Sequence, residues 1–331
     1  MVVLTGAAMM VVCSSFANDD VCTVSSAPDL YAKLLSYYEA KSVNNTIYLE
    51  PGDYDVSDYD MGYYSGGVKY AADGLSHLSI YRTRLVGKGT DARKVVIYGN
   101  RTKRILVNSA GELCNLTISN GCVAAVGGGV WAFHSSVANA NASNVVVTCC
   151  EATGKNGGGV NGGTWVDCQF VGNEAKNGGG IVGGVCSNCI IRANTAKEVG
   201  GGAYYGCALV DCWILSNRAG TNGGGVGATN SKASFCQVVG GVVAGNDAAA
   251  NGGGACYTDF LGGTVVSNNH AKLGGGIYNS KDSTGGGVRQ SATRTFSAIG
   301  PTSTEGVSLW IRPCVRWWIL SLATIALTAR V

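Results

Sequence analysis

Gly157-Gly158-Gly159-Val160-Asn161-Gly162-Gly163-Thr164-Trp165-Val166-Asp167-Cys168-Gln169-Phe170-Val171-Gly172-Asn173-Glu174-Ala175 is one unit of a recurring pattern. Its glycine triplet returns at Gly178, Gly200, Gly223, Gly252 and Gly274, mostly 21 to 23 residues apart with one gap of 29, and an earlier triplet opens at Gly127. Its Asn-x-Ala returns at Asn194-Thr195-Ala196, Asn217-Arg218-Ala219, Asn246-Asp247-Ala248 and Asn269-His270-Ala271. Three residues before each Asn stands an apolar residue (Phe170, Ile191, Ile214, Val243, Val266), and in three units a cysteine stands five before it (Cys168, Cys189, Cys212). Self-similarity at this period marks a repeat architecture, in which a unit buries its apolar face only by stacking on its neighbours.

A unit this short holds two or three strands and turns, too little for a strand-helix-strand crossover. The expected fold is therefore all-β, a right-handed parallel β-helix (solenoid) with an N-terminal capping helix. Glycine triplets suit its corners, and stacked asparagines can hydrogen-bond along the axis. Nine or ten turns would make a rod about 45 Å long. Strand alternation predicts an inward set of Val166/Cys168/Phe170, Ser187/Cys189/Ile191 and Val210/Cys212/Ile214. The matching outward set is Asp167/Gln169/Val171, Asn188/Ile190/Arg192 and Asp211/Trp213/Leu215.

Four regions follow. Residues 1–17 read as a signal peptide ending Ser15-Phe16-Ala17, which implies export. Residues 18–110 hold the cap and first irregular coils, with a helix starting near Ser25-Ser26-Ala27-Pro28-Asp29 and burying Leu30, Leu34, Leu35 and Tyr38. Residues 111–280 are the regular repeats. Residues 281–331 lose the pattern. This tail reads as a C-terminal cap, a membrane-surface segment or the product of a shifted reading frame, and the last explains the abrupt change best. Its apolar stretch from Trp317 to Leu327 is too short for a transmembrane helix.

The 331 residues include 51 Gly and only 14% charged residues, but 46% are hydrophobic, so the chain can bury a core and is not disordered. A net charge of +3 without a basic run gives no footprint for nucleic acid. Histidines 77, 134 and 270 match no metal spacing.

Several clusters are candidates for chemistry. Asp167 and Asp211, with Arg192 nearby, are the catalytic candidates; the two acids lie two turns apart, about 9–10 Å, near the range of inverting glycosidases. A solvated polar ladder is the plainer reading of the same row. In Asp53-Tyr54-Asp55-Val56-Ser57-Asp58-Tyr59-Asp60, followed by Tyr63 and Tyr64, the rings offer faces to sugars, and Asp53, Asp55, Asp58 and Asp60 could hold Ca²⁺. An ordinary surface loop is the rival reading. Trp213, beside Val171, Ile190 and Leu215, completes the ligand-binding candidates and suggests a partner surface or a loop folded over it. Cys168, Cys189 and Cys212 have parallel side chains and read as small buried apolar residues. The zinc-like set Cys186, Cys189, Cys207 and Cys212 has the wrong second spacing. No cofactor other than Ca²⁺ is suggested.

Gly178–Ile181 and Gly274–Ile277, alternating with Phe170-x-x-Asn173, Ile191-x-x-Asn194 and Ile214-x-x-Asn217, resemble the GGAI and FxxN repeats of chlamydial polymorphic outer membrane proteins. Thr46–Tyr54 and Leu116–Gly121 resemble opening coils of the pectin-lyase-like right-handed β-helix superfamily. The resemblance spans about residues 25–280, and nothing in this chain matches the membrane barrel with which the polymorphic proteins end. It implies a protein outside the cell or on the outer surface of a Gram-negative-type bacterium, with glycans or surface proteins as partners. The expected function is non-enzymatic adhesion or glycan/protein binding. The alternative is a polysaccharide lyase or glycoside hydrolase acting on acidic polysaccharide, because the superfamily hosts both kinds of activity.

Overall fold

The computed structural model describes residues 20–65, 68–132, 140–231 and 234–279, with the backbone of 294–296. The expected leader (1–17) and all but that short piece of the tail (281–331) lie outside the described residues. The described chain is dominated by β-strands in an 18-stranded, a nine-stranded and a six-stranded sheet. Their pairings are parallel, while Tyr63–Ser65 and Val68–Tyr70 form a separate antiparallel pair.

From Thr164 the path repeats. Thr164–Val166 and Gln169–Val171 lie in the 18-stranded sheet, Glu174–Asn177 in the six-stranded sheet and Ile181–Val182 in the nine-stranded sheet. The chain then returns to the first sheet at Val185–Ser187. Each strand pairs with its counterpart one repeat later: Thr164 faces Val185, and Val185 faces Ala208. Every repeat thus covers the strand edge of the one before it, an arrangement compatible with a solenoid.

The three glycines of a triplet serve three purposes. Gly178 has φ 63°, a left-handed conformation that a Cβ disfavours. At Gly179 a Cβ would lie 2.5 Å from the Thr195 carbonyl oxygen and 2.6 Å from that of Gly201, so a side chain would push the next repeat away. At Gly180 a Cβ would lie 3.0 Å from Nδ2 of Asn194. The residue after each triplet from Gly157 to Gly252 (Val160, Ile181, Ala203, Val226, Ala255) is fully buried, and Ile277 after the Gly274 triplet is half-buried.

Asn173, Asn194, Asn217 and Asn246, each 1% exposed, form an internal row continued by Asn269. Asn173 Nδ2 donates to Asn194 Oδ1 across 21 residues, and the links repeat at separations of 23, 29 and 23. The same oxygen of Asn194 also accepts from the Asn173 backbone N–H at 2.9 Å, while Asn194 Nδ2 donates its other proton to the Phe170 carbonyl. A buried amide with both donors and its acceptor used has its desolvation cost offset by those bonds.

The inward set differs from simple alternation. Cys168, Phe170, Cys189, Ile191, Cys212 and Ile214 are buried, but Val166, Ser187 and Val210 are only half-buried. Trp165, Cys186 and Leu209 point inward in their place. The cause is a kink between two short strands, where Asp167, Asn188 and Asp211 adopt φ of 55°, 53° and 50° and reset the phase. Asn144 precedes this column and Gly240 follows it, with φ of 50° and 67°. Asn, Asp and Gly are the residues that tolerate this conformation.

The helix, α1, spans Ala27–Ala40; its N-cap Ser26 accepts from the Asp29 N–H, and Ala27, Leu30, Leu34 and Tyr37 are buried. Leu35 and Tyr38 of the expected face are half-buried, because Tyr37 rather than Tyr38 takes the inner position. Leu30 and Leu34 join the core cluster that includes Leu49 and Leu78. No described helix is long and apolar enough to cross a membrane.

Candidate functional site

The outward acids sit at the kink just described. Asp167, Asn188 and Asp211 are exposed, and Asn188 Nδ2 donates to Asp167 Oδ1. Arg192 is four residues past the kink, about 13 Å along the strand. Among the described ion pairs none joins it to either acid. These residues share a face and do not converge. Trp213, 53% exposed, stands between Ile190 and Val242 in register on the outer side of the same sheet.

The Tyr/Asp segment is mostly structural. Tyr54 is 1% exposed, and its hydroxyl sits within hydrogen-bond reach of the Val24 and Glu50 carbonyls. Tyr64 is 3% exposed and bonds the Tyr38 carbonyl at the end of α1. Both are core residues, drawn inward because the segment runs under the cap helix. Tyr59 stacks on Tyr31 of that helix, with centroids 4.2 Å apart. Asp53 and Asp58 are exposed, and Asp60 pairs with Lys103 at 3.3 Å. Asp55 accepts from the Ser57 hydroxyl and N–H, bonds that hold its carboxyl below the usual range. Beside them lies His77, fully buried, with Nδ1 3.0 Å from the Tyr59 carbonyl and Nε2 without a partner. Burial pushes its pKa down.

The described cysteines are all free thiols. Cys189, Cys207 and Cys212 are buried and donate to the carbonyls of Trp165, Tyr204 and Val210 at 3.2–3.3 Å. Among the described residues no three His, Cys, Asp or Glu side chains are placed to hold a metal ion.

The remaining candidate, Tyr63, belongs to a different assembly. Its ring lies 5.1 Å from Tyr70, nearly parallel, and 5.7 Å from Trp131. The Arg104 guanidinium lies 4.9 Å from the Trp131 ring centre. Arg104 is 1% exposed, yet its donors reach the Val126 and Gly127 carbonyls and Ser76 Oγ. Burial pushes its pKa down to about 10, still well above neutrality. Trp131 forms one end of an open groove of about 330 Å³, whose other end is Tyr205. Asn161, Val182 and two glycine pairs, Gly162-Gly163 and Gly183-Gly184, lie between.

The groove follows from the repeat. Trp131, Asn161, Val182 and Tyr204 are register neighbours in the nine-stranded sheet, so it crosses three strand spacings, about 14 Å. Its floor is bare main chain, since Cβ atoms at Gly162 and Gly184 would press into the Ala132 and Gly163 carbonyls. Neither Trp131 nor Tyr205 was among the sequence-based candidates. The readable signal was a Tyr-Gly pair, Tyr205-Gly206, where the preceding repeats have Gly-Gly.

No protein-family model matches this chain, and no curated protein matches it either.

Proposed function

We propose that this chain is an exported, non-enzymatic surface protein whose repeats wind as a right-handed parallel β-helix and present binding faces to glycans or other proteins. The repeat-to-repeat pairing of three parallel sheets supports the winding, and the GGAI-like and FxxN-like residues support the surface role by resemblance. One observation carries the choice of binding over catalysis: Asp167 and Asp211 occupy a left-handed kink and are held apart from Arg192. An acid-base mechanism needs such groups to converge on one reacting centre. The buried amides of Asn173, Asn194, Asn217 and Asn246 are taken up in bonds along the row, so in these repeats recognition falls to the outer faces.

The test is a screen of the purified full chain against glycan arrays and immobilised surface proteins, with a parallel assay for cleavage of pectate and alginate in Ca²⁺. Saturable binding without cleavage supports the reading. Release of unsaturated or reducing ends, lost in Asp167→Asn or Asp211→Asn, would overturn it in favour of the lyase or hydrolase.

A further inference from the structure

The groove between Trp131 and Tyr205 has features that the repeat alone does not require. At the position following the register partners Asn161, Val182 and Tyr204, two repeats place glycine, Gly162 and Gly183, with φ of 82° and 62°. The next places Tyr205 there, with φ 57° and 48% of its surface exposed. A bulky residue in this conformation is strained, and glycine would serve the backbone better. The column nevertheless carries a ring twice, at Tyr205 and again two repeats later at Tyr257 with φ 51°, and it is the Tyr205 ring that lines the groove. It projects beside the floor that the glycine pairs leave bare.

The chemistry of the groove is narrow. Among the described residues lining it none carries a charge at neutral pH. Arg104 reaches the Trp131 ring from within the protein, and its donors are taken up by carbonyls and a hydroxyl. An anionic polymer would find no counter-charge on these residues. Asn161 lies between the rings, and its side-chain amide makes no hydrogen bond to the described protein. An aromatic platform at each end, a free amide between them and a flat polar floor suit a ligand with apolar faces and hydroxyl edges. The strand spacing also allows successive units of an extended chain to meet successive repeats.

We propose that this groove binds an uncharged, extended polysaccharide laid across the strands, stacked on Trp131 and Tyr205 and hydrogen-bonded by Asn161. The inference rests on the reading of the chain as a binding protein. It adds the ligand class and the site.

The test is isothermal titration of the full chain with cellohexaose and chitohexaose as neutral probes, polygalacturonate as the acidic probe and a proline-rich peptide as the non-sugar probe. A neutral probe should bind saturably. Tyr205→Gly and Trp131→Ala should each weaken binding at least about tenfold, equivalent to about 1.4 kcal/mol. Lys155→Ala, on an exposed strand of the six-stranded sheet, should not. Tyr205→Gly also separates binding from folding, because its melting midpoint should be no lower than that of the wild type. Unchanged affinity in Tyr205→Gly overturns the proposal, as does preference for polygalacturonate or the peptide, and either result leaves the general binding function standing. Failure of every glycan and every surface protein to bind would remove that function as well.

Discussion

Asn217→Ala removes one amide from the middle of the buried row and tests whether that row holds the repeats together. The Asn217 oxygen accepts from the Asn194 backbone N–H and from Asn194 Nδ2, both at 3.0 Å. Its Nδ2 donates to the Ile191 carbonyl at 2.9 Å and to Asn246 Oδ1 at 3.0 Å. Truncation leaves the two donors of Asn194 unpaired at a site 1% exposed, while Asn246 Oδ1 keeps the Asn217 N–H. Each stranded buried donor costs about 1–3 kcal/mol, so the change should destabilise by about 2–6 kcal/mol. At about 2–4 °C per kcal/mol, the midpoint should fall by roughly 4–24 °C. The assay is thermal unfolding followed by circular dichroism, with Thr195→Ala as the exposed control, expected within about 0.5 kcal/mol of wild type. Equal midpoints for the two variants would refute the reasoning, because the amides would then be exchanging freely with water.

Three further outcomes follow from the same geometry. Gly179→Ala should abolish cooperative unfolding or soluble yield, since its Cβ meets backbone oxygens of the next repeat. Gly154→Ala should be neutral or slightly stabilising, because nothing lies within 4 Å and its φ is not left-handed. Melting midpoints of the two variants decide this. The His77 pKa is depressed from 6.5 by burial, so its contribution is fully present above about pH 6.5 and is lost as pH falls through the lower folded value. The midpoint should therefore drop on acidification, less steeply in His77→Gln, with Asp55, Asp60 and Lys103 as the charges acting on the ring. Among the twelve described thiols, alkylation of the native protein followed by peptide mapping should label Cys149 first. Burial pushes Cys114 up to about 11 and Cys150 and Cys256 up to about 12, and all three should stay unlabelled until the chain unfolds.

Much of the fold was legible because repetition amplifies weak signals. The period placed the strands in register, Ser26 and Pro28 marked the start of α1, and Asn-x-Ala marked the internal row. Strict alternation misses the kink at Asp167, although Asn144, Asp167, Asn188, Asp211 and Gly240 all belong to residue types that accept a positive φ. Tyr54 and Tyr64 read as ligand contacts because a tyrosine-rich run looks exposed in sequence. The covering helix that buries them is a tertiary fact. Trp131 and Tyr205 are far apart in the chain and reach one groove only because the repeats stack, so local reading does not join them. The tyrosine in place of glycine at position 205 is visible in the sequence, but its meaning requires the left-handed backbone.

Deleting one whole repeat tests the stacking most directly. Val185 and Ala208 are register partners, so removal of 185–207 joins Gly184 to Ala208 in phase. In a stack held by nearest-neighbour contacts, the shortened chain should keep its β-sheet spectrum and a cooperative melt, while a deletion of about half that length should lose both. Loss of fold in the in-phase deletion, or its equal retention in the out-of-phase one, would contradict the stacked-repeat architecture on which the rest depends.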